Sequence, residues 1–206
     1  MHYYEDLQNR EKTLTRDFVS THLRELYSVL DLKYGDLVVV ELQKHRYRKD
    51  GDVDIAVWKN PGSQNEEIIA IEVKVIFLDK DGSFKSEKLV KHNKQINALI
   101  KEGWDYVWFF DFIVNMPSQG WFHPQAFDGH DNYRKSVDAA ACGHVVFQIN
   151  SVAHKPESMA GSISKNELRV ATKNAKQENR EILLNALREM KLSSPMTIDT
   201  VSLLSG

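Results

Sequence analysis

Two short apolar runs, Val53-Asp54-Ile55-Ala56-Val57-Trp58 and Ile68-Ile69-Ala70-Ile71-Glu72-Val73-Lys74-Val75, constrain the fold more than anything else in this chain. Both are rich in β-branched residues, and Asn60-Pro61-Gly62-Ser63 lies between them. Proline presets a negative φ and glycine accepts a positive one, so the pattern predicts two strands, 52–58 and 67–77, joined by a turn. Side chains two apart on a strand share a face, which puts Glu72 and Lys74 together. Pairing with the preceding strand brings Asp54 to the same region. Carboxylates and an ammonium in apolar surroundings are costly to leave unpaired.

The flanking segments supply an order. Leu14, Phe18, Val19, Leu23, Leu26, Val29 and Leu30 recur at helical spacing and predict a helix over 13–30. Gly35-Asp36 ends it, and Leu37-Val38-Val39-Val40-Glu41-Leu42 reads as a first strand. After the hairpin, Leu89, Asn93, Ile96, Leu99 and Ile100 form one mainly apolar side of a helix over 83–102, with Gly103 where a C-terminal cap belongs. Residues 104–114 are apolar enough for a strand buried on both faces. The order helix, three strands, helix, strand gives an α/β (α+β) core over 1–114.

Residues 115–206 are expected as a C-terminal extension packed on that core. Residues 116–133 carry Pro, Gly, His and aromatics without periodicity and read as an irregular insertion. A strand is expected over 144–151, a loop over 156–164 and a long charged helix over 165–191. Residues 193–206 are expected to be poorly ordered or to lie along the surface. Trp121, Phe122 and Tyr133 suit anchors for the insertion, with base stacking as the alternative.

Composition narrows the function classes. At 206 residues the chain is one full domain, or a domain with an appended piece. No run of about 18 apolar residues occurs and no secretory signal opens the chain, so a cytoplasmic protein with no membrane partner is expected. The single cysteine, Cys142, excludes an internal disulfide and a cysteine-rich cluster. His123, His130, His144 and His154 lack metal-ligand spacing, so no zinc site is expected. A net charge of −2 does not mark a nucleic-acid binder, but local patches rather than totals meet phosphates. Two basic runs are available. Lys44-His45-Arg46-Tyr47-Arg48-Lys49 precedes Asp54, and Lys80, Lys85, Lys88, Lys91 and Lys94 follow Lys74.

An Asp on one strand, then Glu72-Val73-Lys74 on the next, eighteen positions on, within that order of elements, resembles the PD-(D/E)xK nuclease superfamily. The resemblance covers about residues 13–114, and the usual proline before the Asp is replaced by Val53. Glu189-Met190-Lys191 repeats the triplet in a helical pattern, so context, not the triplet, carries the likeness. It implies a restriction-endonuclease-like core and a metal-dependent endonuclease that hydrolyses phosphodiester bonds of DNA, with RNA as an alternative substrate.

The resemblance also implies roles. Asp54, Glu72 and the backbone carbonyl of Val73 would hold Mg²⁺ or Mn²⁺, hard cations that prefer oxygen. Lys74 would position or activate the attacking water, and Asp52 could replace Asp54 if the register differs by two. Glu25, with Glu11 behind it, is the candidate for a carboxylate on the first helix. Gln95 and Lys91 match a Lys/Gln position on the second helix, and Gln95 is expected at the edge of its buried face. Arg46, Arg48, Lys49 and Lys91 are the candidate phosphate contacts. The last helix could pack on the core or on a second copy of the chain, giving a homodimer. Two competing readings remain. One is a catalytically inactive module of the same fold that binds nucleic acid or a protein partner. The other is an ordinary hairpin whose exposed face carries these residues as cross-strand salt bridges.

Overall fold

The computed structural model describes residue 15 and residues 28–42, 53–77, 86–115, 142–150, 163–174, 179–193 and 197–199. Within them the chain is a mixed α/β protein. Its strands are β1 (Leu37–Leu42), β2 (Val53–Lys59), β3 (Glu67–Phe77), β4 (Tyr106–Asn115), β5 (Cys142–Asn150), β6 (Ile163–Arg169) and β7 (Thr197–Asp199). Two helices, α1 (Ser86–Glu102) and α2 (Arg180–Ser193), accompany them, and residues 28–30 are helical too.

All seven strands lie in one sheet, in the order β6-β5-β4-β3-β2-β1-β7. β1, β2 and β3 form an antiparallel meander. The chain crosses through α1 to β4, which runs parallel to β3, and β5 runs parallel to β4. β6 and β7 pair antiparallel with β5 and β1 and form the two edges.

The turns follow from their residues. Between β2 and β3, Ser63 N–H donates to the Asn60 carbonyl at 3.1 Å, with Pro61 in the second position and Gly62 at φ 76° in the third. Those are the residues a type II turn requires. Asp36 ties this turn to the start of β1, accepting from Lys33 N–H at 2.7 Å and Asn60 N–H at 2.8 Å. The Lys59 ammonium donates to the Leu30 carbonyl at 2.8 Å, satisfying a carbonyl of the last helical turn before β1. α1 ends as expected at Gly103, with φ 101°.

Alternation divides the core between the two sheet faces. Val57, Ile69, Ile71, Val73, Phe110, Phe112, Val145 and Phe147 lie on one face, with Leu30 and Leu32 packed on it. Ala56, Trp58, Ile68, Ala70, Val107, Phe109 and Cys142 lie on the other, beneath Ile96, Leu99 and Ile100 of α1 and Leu183, Leu184 and Leu187 of α2. The apolar side of α2 therefore packs on the chain's own sheet. Burial on both faces explains the nearly continuous apolar runs of β3 and β4.

Two expectations are corrected. The helix expected over 165–191 starts only at Arg180, because residues 163–169 pair as a strand with the open edge of β5. The sequence of that strand, with Lys, Glu and Arg in it, is of the kind an edge strand carries. Residues 171–174 then dock on the body of the fold, where Asn174 N–H donates to the Asp105 carbonyl at 2.7 Å and its amide donates to the Ile100 carbonyl. The segment after Ser193 includes β7, paired with β1 through Thr197, Ile198 and Asp199. Thus the sheet draws strands from both sides of residue 114. Among the described residues, no helix is long and apolar enough to cross a membrane.

Candidate active site

The β2–β3 ladder runs from Lys59 opposite Glu67 to Ile55 opposite Ile71, and stops. Beyond that point β2 stays with β1 as far as Val53, while β3 stays with β4 as far as Phe77. Asp54 is the first residue past the last pair. Its half-buried carboxylate bridges the parting strands, with Oδ2 accepting from the Val73 N–H at 2.7 Å. A side chain thus takes a backbone donor that the ladder no longer serves.

Glu72 and Lys74 have the same parity along β3 as Ile68 and Ala70, which places them on the helix-covered face. Asp54 meets β3 at the backbone between these two residues, through the Val73 N–H. Lys74 Nζ lies 3.2 Å from Glu72 Oε1, and the two residues are only 7% and 3% exposed. Such burial removes the solvated-hairpin reading, in which the pair would sit in water. A charge pair in low dielectric carries a large desolvation cost and is poor evidence of stabilisation.

Sequence reasoning missed two further members of this polar patch, Asp111 and His144. The β3–β4 register sets Lys74 beside Asp111 and Glu72 beside Phe109, and the β4–β5 register sets Phe109 beside His144. Asp111 and His144 are 0% and 1% exposed, and His144 Nε2 lies 2.7 Å from Asp111 Oδ2. The His144 ring also packs edge-on to Phe109, with centroids 5.9 Å apart. A signal was available. Asp111 is the one carboxylate inside the apolar run of β4, and a carboxylate in a strand buried on both faces needs a partner.

The helix candidate fails its stated reason. Gln95 is exposed, because Asn93, Ile96, Leu99 and Ile100 define the buried stripe and Gln95 projects away from it. The buried amide of α1 is Asn93. Lys91 lies in α1, but its side chain falls outside the described residues, as do Glu11, Glu25, Arg46, Arg48, Lys49 and Asp52. The insertion aromatics and His123, His130 and His154 lie outside them as well.

A second polar cluster sits where β3 and β4 begin. Asp105 Oδ2 accepts from Ile68 N–H at 2.8 Å and lies 3.3 Å from Arg180, which also donates to the Glu66 carbonyl at 2.8 Å. Burial pulls the Arg180 pKa down, but Asp105 and Glu66 beside it more than restore it, so it stands above its ordinary value. Burial raises Glu66, yet donors from Gly62, Trp58 and Arg180 hold its carboxyl below the usual range. Burial and the neighbouring Glu67 push the Tyr106 phenol up. These groups anchor α2 to the sheet.

The donor set at Asp54, Glu72 and the Val73 carbonyl is all hard oxygen, which suits a cation that keeps several waters. Among the described residues no three His, Cys, Asp or Glu side chains form a metal cage, so water would have to complete any coordination. Compared with known proteins, the chain matches no family model and no curated protein.

Proposed function

We propose that this chain is a Mg²⁺- or Mn²⁺-dependent endonuclease of restriction-endonuclease-like fold that hydrolyses phosphodiester bonds of DNA. The observation that carries the reading is the contact of Asp54 with the Val73 N–H where β2 parts from β3, with the buried Glu72–Lys74 pair flanking Val73 along β3. The meander followed by a helical crossover to parallel β4 is compatible with it.

Asp54 and Glu72, with the Val73 carbonyl, would hold the cation, which when bound acidifies water and offsets charge on the phosphate. The Val73 N–H fixes the orientation of the Asp54 carboxylate. Lys74, a compact donor held beside Glu72, would orient a water or a phosphate oxygen. Arg46, Arg48, Lys49 and Lys91 are the proposed phosphate contacts.

Cleavage of linear, branched and single-stranded DNA, and of RNA, with Mg²⁺ or Mn²⁺ tests the reading. Activity abolished in Asp54→Ala and cut to a small residual rate in Lys74→Ala supports it, and a folded wild-type protein inert on every substrate overturns it. A second reading, a non-cleaving module that binds nucleic acid or a protein, is favoured by the closed and buried Lys74–Glu72 pair. A melting temperature indifferent to Mn²⁺ would support that reading.

A further inference from the structure

We propose that Asp111 and His144 are positioning residues of the candidate active site, with His144 holding Asp111 so that Asp111 fixes the Lys74 ammonium beside Glu72. The inference rests on Lys74 being the working ammonium of the proposed nuclease.

The register makes the case. Lys74 and Asp111 are Cα partners in the parallel β3–β4 ladder, so their side chains leave the same face side by side. Glu72, Phe109 and His144 form the adjoining row across β3, β4 and β5. Glu72, Lys74, Asp111 and His144 therefore surround Phe109, whose ring lies against His144. Each of the two pairs holds one close contact, Lys74–Glu72 at 3.2 Å and His144–Asp111 at 2.7 Å, and the ladder sets the pairs side by side.

Chemistry gives this order a purpose. Lysine has four rotatable carbons and a point charge, and sets no direction of its own. Glu72 in contact with the ammonium, and Asp111 beside Lys74 in the ladder, would limit where it can go. A carboxylate alone would also rotate, and the imidazole clamp on Oδ2 removes that freedom. Buried pairs are seldom better for stability than apolar residues of the same volume. Two of them on neighbouring strands, at the level where Asp54 bridges β2 and β3, are better explained by holding a donor in place.

The test uses the full chain and Asp111→Asn, His144→Leu and His144→Gln. Asp111→Asn is expected to cleave about tenfold or more slowly at saturating DNA, with KM unchanged, as for residues that orient a working group. Added to Lys74→Ala it should cause no further loss, since its effect passes through Lys74. His144→Gln, which can still donate to Asp111, should keep more activity than His144→Leu. Full activity in Asp111→Asn, or a loss that adds to that of Lys74→Ala, overturns the proposal. Should Asp111→Asn fail to fold, the two His144 variants decide by the same comparison. If the wild type cleaves nothing, the nuclease reading falls by itself and NMR of the Lys74 ammonium decides the positioning role. A resonance that shifts or broadens in Asp111→Asn and His144→Leu supports the role, and one unchanged in both overturns it.

Discussion

Asp54 reaches across from β2 to take the Val73 N–H of β3 at 2.7 Å, immediately beyond the last backbone pair between those strands. One carboxylate thus closes the end of a ladder and, in the proposed site, would also be the ligand from β2.

These two tasks can be separated. Asp54→Asn keeps an acceptor for Val73 N–H and should change stability by less than about 1 kcal/mol, whereas Asp54→Ala leaves that donor unmatched and should cost about 1–3 kcal/mol. Both should lower Mg²⁺-dependent cleavage by about 100-fold or more if the carboxylate holds the cation. Urea denaturation alongside a cleavage assay measures both; equal stability of the two variants would contradict the structural part.

Cation binding has a signature independent of cleavage. Mn²⁺ at about 100 times its dissociation constant should stabilise the folded chain by about 2.7 kcal/mol, seen as a rise in melting temperature. Glu72→Gln should abolish the rise. A rise of equal size in that variant would place the cation elsewhere.

Gly143 sits beneath the Trp108 indole, and a Cβ there would lie 2.4 Å from the ring. Gly143→Ala should therefore destabilise the chain by about 1–3 kcal/mol through overpacking between β4 and β5. Near-UV circular dichroism of the tryptophans should change with it. Unaltered stability would mean that the ring can move aside.

The contacts of Arg180 predict a response to acid. Glu66 has a depressed folded-state pKa, so its contribution is complete above the unfolded carboxylate range, about pH 4.3, and is lost as pH falls through the folded value. Arg180→Met removes partners of Glu66 and Asp105. It should cost about 1–3 kcal/mol at neutral pH and flatten the acid dependence between about pH 5 and 3. Denaturation midpoints across that range measure both effects.

Much of the central sheet was legible because its strands carry their reasons in their own residues. β1 to β4 are apolar and β-branched, the turn at Asn60 contains Pro61 and Gly62, and α1 has a clear stripe ending at Gly103. The meeting of Asp54 with β3 at Val73 was legible because a hairpin keeps its partners close in sequence. His144 could not be joined to Asp111 in that way, for 33 positions and a parallel pairing separate them. β6 and β7 were hidden for another reason. Lys165, Asn166 and Glu167 have no apolar alternation, and that strand exists because β5 offers an unpaired edge. Gln95 failed because a stripe read loosely tolerates an error of one residue, and on a helix that turns a side chain through about 100°.

β6 and β7 also affect how the chain must be made. Both edges of the sheet are closed by strands that follow the five central ones in sequence. As synthesis proceeds, β5 and β1 therefore emerge with open hydrogen-bonding rims, and β1 waits through the synthesis of every other strand. A ribosome paused after β5 would display a nearly finished sheet with two adhesive borders, the form most prone to join another chain.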